Sequence, residues 1–283
     1  MKFGIFNTAL GTDPGNLAAV AQHAEDCGFE SFYVGEHIAL YPGAQHPDAA
    51  EFPADLAIPD PLACLTFVAA KTERIMLGTG VLLLPYHHPV VLAKQLATID
   101  LLSAGRMRLL TVGLGVLPGE AQAFGVEFAA RGRRADEAID VLRLLWAGGQ
   151  EGVSFTGEHF SFENLCSFPK PWRTSTLPVH VGGASRAAAR RAGLRGDGYF
   201  SGGRLTAAER AAQLEIMRTV AAEAGRDPAA LEYTRWGSIG MTPDDVQAHA
   251  SNGVTRLIVG PASTDAREQR EQIAAFARRH GLG

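Results

Sequence analysis

The sequence predicts a (β/α)8 barrel carrying an inserted loop and hairpin region, on three observations. Short apolar, β-branched runs alternate with stretches of helical periodicity, which is the pattern of a parallel sheet built from β-α units. Eight such pairs can be placed along the 283 residues, a length that suits an undivided α/β barrel. Glycine also recurs at the ends of the apolar runs, where a barrel presents its chemistry. An open doubly wound sheet is the alternative architecture, and the number of pairs argues against it.

In chain order, strands are expected over 2–8, 31–36, 75–84, 107–114, 178–182, 198–202, 232–239 and 256–260. Helices are expected over 14–27, 61–71, 89–103, 132–147, 185–195, 206–225, 243–252 and 266–280. Two connections are longer than plain turns. Residues 37–60 carry Pro42, Pro47, Pro53 and Pro59 and are expected to be irregular. Residues 148–177 contain the alternating stretch from Gly152 to Phe162, which suits a hairpin. Long ordered loops are usually lids or binding loops, and both are expected on the face that holds the active site. No linker or repeat beyond the β-α unit divides the chain, so one domain over 1–283 is expected, with the insertion at about 148–177.

Composition excludes several function classes. A formal net charge of −4 provides no electrostatic footprint for nucleic acid. Cys27, Cys64 and Cys166 are widely spaced, with no Cys-x-x-Cys, which suits a reducing cytoplasm rather than a disulfide framework or a zinc ribbon. The N-terminus turns polar at Asn7 and Thr8, unlike a signal peptide, and no apolar run approaches the roughly 18 residues of a membrane span. A cytoplasmic protein acting on a small molecule, without nucleic-acid or membrane partners, is expected.

The strand tips read Asn7-Thr8, Glu36-His37, Gly78-Thr79-Gly80, Gly113-Leu114-Gly115, Gly182-Gly183, Ser201-Gly202-Gly203, Ser238 with Gly240, and Gly260. None offers a lysine, which argues against Schiff-base chemistry. Glu36 is the lone carboxylate, which argues against a metal held by several acidic ligands. His-Glu-x-x-His, nucleophile-elbow and P-loop motifs are missing. Tips this poor in reactive groups point to an organic cofactor as the source of reactivity.

Glu36-His37 is the sharpest polar pair. His37 is read either as a proton donor and acceptor at a strand tip or as a histidine that caps the strand structurally. Gly182-Gly183-Ala184-Ser185-Arg186 joins a strand to an alanine-rich helix. It offers backbone N–H groups, a helix N-terminus and, in Arg186 and Arg190, charge for a phosphate, or else is an ordinary turn with Ser185 as N-cap. The Gly113 to Gly119 run lacks the Gly-x-Gly-x-x-Gly spacing of a dinucleotide fingerprint. Glycine at 78 and 80, within a strand, marks a bulge or a close backbone approach. His87 and His88 precede Pro89 and read as solvated helix caps. His46 and His159 lie in loops and are not assigned to a metal.

Taken together, these residues resemble the luciferase-like monooxygenase superfamily, and within it the branch that uses the deazaflavin coenzyme F420 rather than FMN. The resemblance is carried by Gly35-Glu36-His37, Asp60-Pro61-Leu62, Thr72 through Val81, His88 through Gln95, and Leu102 through Arg106. It continues in Phe124-Gly125-Val126, Arg131-Gly132, Asp136-Glu137, Leu145-Trp146, Val181-Gly182-Gly183 and Asp197-Gly198. It is strong over about residues 1–203 and holds in outline beyond.

The resemblance implies a homodimeric barrel with Glu36 and His37 beside the ring system of the coenzyme. It implies a non-prolyl cis peptide between Gly80 and Val81, forming a bulge behind that ring. Gly115 and Val116 would line the cofactor cleft, and Gly182, Gly183, Ser185 and Arg186 would hold the phosphate. The implied activity is hydride transfer between F420 and a small organic substrate, with His37 as proton partner, Glu36 as the second catalytic residue, and no metal. Two alternatives stay open: an FMN-dependent monooxygenase fed by a partner reductase, and a non-catalytic barrel that binds the coenzyme. The chain departs from its relatives at Val116, where they often carry Trp, and at Gly119, which replaces the first of two acids and leaves Glu120. Pro118 stands where sugar-phosphate dehydrogenases of the group place a proton-relaying Glu, which argues against that substrate class. Tyr41, Phe155, Phe160, Phe162 and Trp172 either line an apolar substrate pocket or pin the two long loops to the barrel.

Overall fold

The structure, a computed structural model, describes residues 1–7, 13–45 and 51–283. Thr8, His46 and Pro47 therefore lie outside the described residues. The chain opens with β1 (Lys2–Phe6), α1 (Pro14–Asp26), β2 (Ser31–Val34), α2 (Pro61–Ala69), β3 (Met76–Thr79), β4 (Leu82–Leu83) and α3 (Pro89–Leu102). It continues with β5 (Met107–Gly113), α4 (Pro118–Ala123), α5 (Arg131–Ala147) and a two-stranded hairpin, β6 (Val153–Thr156) and β7 (Ser161–Leu165). It closes with β8 (Val179–Gly182), α6 (Arg186–Arg195), β9 (Gly198–Phe200), α7 (Ala207–Glu223), β10 (Glu232–Trp236), α8 (Pro243–Ser251), β11 (Arg256–Val259) and α9 (Ala266–His280).

All pairings within the nine-stranded sheet are parallel, and β3 pairs β5, so the sheet closes into the expected (β/α)8 barrel. The third barrel position is split. The apolar run over 75–84 is divided at a cis peptide between Gly80 and Val81, so β3 and β4 pair successive parts of β5.

The helix starts follow from local chemistry. Asp13, Asp60, His88 and Thr242 each accept a backbone N–H and each precedes a proline at the first helical position. There proline's missing N–H costs nothing and its φ already fits. The helix α4 was not expected: six residues starting at Pro118 are too short to show a period.

Two layers of side chains hold the fold. Outside the barrel, aliphatic residues of the strands pack against the helices, and the buried Trp146 indole donates to Ala93 O (3.0 Å), tying α5 to α3. Inside, Tyr33, Leu109, Phe200 and Ile258 form a separate cluster with Phe6 and Met76. The N-terminal end is closed by Arg256, buried between Glu30 and Glu232 and bonded to both.

Both long loops are expected on the active-site face, and the described residues of 37–60 lie there. That segment follows a strand and so emerges at the C-terminal ends of the strands. Residues 148–177 follow a helix, which returns the chain to the opposite end. There Trp172 donates its backbone N–H to Asp100 (2.7 Å) and takes a bond from Arg108 (3.1 Å). The hairpin then climbs the outside of α5. Glu137 accepts the N–H groups of Glu158, His159 and Phe160 at its turn, and Phe160 packs on His88 and under Arg134. The aromatics of this insertion pin it to the barrel. Among the described residues no helix is long and apolar enough to cross a membrane.

Candidate active site at the barrel mouth

Every site residue expected from the sequence lies at or just beyond the C-terminal end of a barrel strand. Glu36 and His37 follow β2, Gly80 and Val81 lie between β3 and β4, and Gly115 and Val116 follow β5. Gly182 ends β8, with Gly183 next, while Ser185 caps α6 and Arg186 begins it.

Glu36 and His37 are neighbours in sequence and do different work. The Glu36 carboxylate is buried. It accepts the Leu83 N–H (2.5 Å) and lies 2.9 Å from His87 Nε2, so it anchors the backbone just past the cis peptide. His87 is thereby drawn inward and is not a solvated cap. His88 alone has that role, its Nδ1 accepting the Val90 N–H (3.3 Å).

His37 points the other way. Its Nδ1 lies 3.2 Å from Glu120 Oε2, and its ring packs against Phe52 at 5.0 Å between centroids. Glu120 is wholly buried, and its other oxygen accepts the N–H groups of Ile38 (2.7 Å) and Ala39 (3.2 Å). A carboxylate engaged this way accepts at Nδ1, so that nitrogen carries the hydrogen and Nε2 of the neutral ring keeps its lone pair. Among the described residues no hydrogen bond occupies that Nε2.

The tip glycines have internal reasons for being glycine. A Cβ on Gly113 would stand 2.5 Å from one Val81 methyl, and on Gly182 2.7 Å from the other. Val81 thus occupies a slot between two strand ends, which brings the three tips together. Gly115 has φ +75°, and a Cβ there would meet the Tyr86 hydroxyl at 2.3 Å.

Tyr86 was not singled out from the sequence. It is stacked on Phe124, its buried hydroxyl finds no partner among the described residues, and burial, followed by the charge of Glu120, pushes it up to about 12. Phe6 and Phe200 pack on Trp236 at 5.0 and 4.9 Å and form an apolar wall at the mouth. The available signal was a tryptophan closing the seventh barrel strand.

At the turn into α6, the Ser185 hydroxyl accepts the Ala188 N–H (3.1 Å), as an N-cap does. Gly183 has φ +130°, and nothing lies within 4 Å of where a Cβ on the facing Gly202 would stand. Arg186 is exposed, with no carboxylate within 4 Å among the described residues. Open backbone, a helix N-terminus and an unpaired guanidinium fit a phosphate. Together with the free Nε2 of His37 and the apolar wall, they fit a cofactor that has a flat ring and an anionic tail.

The model of the family described as luciferase-like monooxygenase matches residues 1–282. The chain belongs to that family.

Among its relatives is a Mycobacterium tuberculosis protein named Uncharacterized protein Rv0953c, 33% identical over 97% of this chain and 98% of the relative. Another is the F420-dependent glucose-6-phosphate dehydrogenase of Kineococcus radiotolerans, 32% identical over 71% of this chain and 56% of that enzyme. Among solved structures, the monooxygenase RslO1 from Streptomyces bottropensis superposes with a TM-score of 0.80 at 22% identity, covering 99% of this chain and 98% of that one. Family members of this kind are oxidoreductases and monooxygenases.

Proposed function

We propose that this member of the luciferase-like family is an F420-dependent oxidoreductase that transfers a hydride between the deazaflavin and a small organic substrate. The observation that carries the reading is the His37–Glu120 pair at the barrel mouth: an imidazole fixed at Nδ1 by a buried carboxylate, with Nε2 free. Such a ring can take and return one proton without reorienting.

When bound, the deazaflavin supplies a two-electron hydride acceptor and donor that hardly reacts with oxygen. The protein's own residues do the rest. Gly80 and Val81, anchored through Glu36, would support the ring. Gly182, Gly183, Ser185 and Arg186 would hold the phosphate, and Gly115 and Val116 would border the cleft. His37 Nε2 accepts the proton that leaves the substrate as its hydride departs, and donates it in the reverse direction. The Phe6–Trp236 wall turns water away from that exchange. The name of the Kineococcus relative supports F420 as coenzyme, while Pro118 separates this chain from the sugar-phosphate pattern.

Fluorescence titration with F420 and with FMN tests the coenzyme. Tight F420 binding and weak FMN binding are expected, and the reverse order overturns the reading in favour of a flavin monooxygenase. His37→Ala is expected to lose turnover and keep F420 affinity. Unchanged turnover would remove His37 from the mechanism.

A further inference from the structure

A second concavity lies on the outside of the barrel. It is a cleft of about 400 Å³ between α7 and α8, floored by Tyr233 and Arg235 of β10. Its walls carry Arg210 and Arg218 from α7, eight residues apart and so on one face of that helix, and His249 and Asn252 from α8.

Three features set this cleft apart from an ordinary basic surface. Arg235 is 9% exposed, yet its charge has no carboxylate within 4 Å among the described residues. Its Nη1 donates to Ser201 Oγ (2.7 Å), and its buried Nε has no partner. A buried guanidinium left this way is unfavourable unless an anion completes it. Among the described residues Arg210 and Arg218 also lack a carboxylate within 4 Å, and Arg210 donates only to Leu205 O. One acid, Glu215, also lines the cleft; its carboxylate takes the Thr219 hydroxyl (3.4 Å) and lies beyond 4 Å of the three guanidinium groups, while Asp245 is held in the capping box with Thr242. His249 reports the resulting field, because burial, then Arg235 and Arg210, hold its imidazole below the usual range.

We propose that this cleft is a separate binding site for a small polyanion bearing phosphate or carboxylate groups. Three guanidinium groups converging on one concavity provide the forked donors that such oxyanions accept, and the volume suits a compact ligand.

Calorimetric titration of the purified chain with inorganic pyrophosphate, and separately with citrate, tests it. Saturable binding of at least one is expected, with the His249 imidazole resonances moving in the NMR spectrum during the titration. Arg210→Ala combined with Arg218→Ala, both on the outer wall, is expected to weaken binding at least tenfold. Arg235→Gln is expected to do so as well, and if that variant fails to fold the outer-wall pair still decides. Pyrophosphate alone would identify a phosphate ligand and citrate alone a polycarboxylate. Binding of neither overturns the proposal. So does binding that survives the outer-wall variant, or binding that is lost instead in Arg186→Ala, which would place the anion at the turn into α6.

Discussion

His37 Nδ1 lies 3.2 Å from the buried carboxylate of Glu120, a residue 83 positions further along the chain. The same carboxylate accepts the two backbone N–H groups that follow His37, so it fixes both the ring and the loop that carries it. Glu120 is therefore a positioning residue. Glu120→Gln keeps the volume and weakens the acceptor. It is expected to lower kcat by about tenfold to a hundredfold, the scale on which partners of an oriented histidine act. F420 affinity should stay unchanged, because Glu120 is wholly buried and is not among the residues proposed to hold the coenzyme. Steady-state kinetics together with fluorescence titration check this. A parallel loss of kcat and coenzyme binding would mean that Glu120 merely holds the fold together.

Glu36 makes the complementary prediction. Its carboxylate is committed to Leu83 N–H and His87, so removal leaves buried polar groups unpaired just past Val81. Glu36→Ala is expected to destabilise the protein by about 1–3 kcal/mol, the cost of unsatisfied buried donors. It should also weaken coenzyme binding, since the 80–83 backbone loses its anchor. Urea unfolding and F420 titration of the same variant would show both effects; unchanged stability would refute the anchoring role.

The barrel was legible because its signals are local. Helical periodicity marked the helices, with starts expected at 14, 61, 89 and 243 where the structure has them, and β-branched runs marked the strands. Glu120 was not legible as a partner of His37, because their contact crosses 83 residues and depends on α4, which is too short to announce itself. The tip glycines were found, and their reason was not. Gly113 and Gly115 make room for Val81 and Tyr86, and such a clash exists only once strands are neighbours. The placement of 148–177 went astray for a topological reason: a segment that follows a helix starts at the opposite face of a barrel from one that follows a strand.

The slot occupied by Val81 can be tested directly. Gly113→Ala would put a methyl 2.5 Å from Val81 Cγ2, and overpacking of this kind costs about 1–3 kcal/mol. In a Val81→Ala background the 2.5 Å contact is removed and the tightest one left is Val81 Cβ at 3.3 Å, so the same substitution should cost clearly less. Contacting residues couple by about 0.5–3 kcal/mol in such cycles. Unfolding free energies of the wild type, the two single variants and the double variant measure the coupling. Additive effects would show that Val81 and Gly113 do not share this space.

Acid should destabilise the fold from its N-terminal end. His180 is buried there, and burial outweighs the nearby Glu232 carboxylate to hold its imidazole down to about 4. The unfolded chain, with an ordinary histidine value near 6.5, takes up a proton that the folded chain refuses until about pH 4. In that window the unfolded state binds more protons, so stability falls as pH falls. The full shift corresponds to about 3 kcal/mol. Glu232 extends the loss in the same direction: burial alone would raise it, but Arg256 and Lys2 outweigh burial and pull it to about 2. Its contribution is complete above its ordinary value of 4.5 and disappears towards pH 2. Urea unfolding at pH 7, 5.5 and 4.5 should show a steady decline, and His180→Asn should flatten it. An equal slope in the variant would assign the acid sensitivity to other groups.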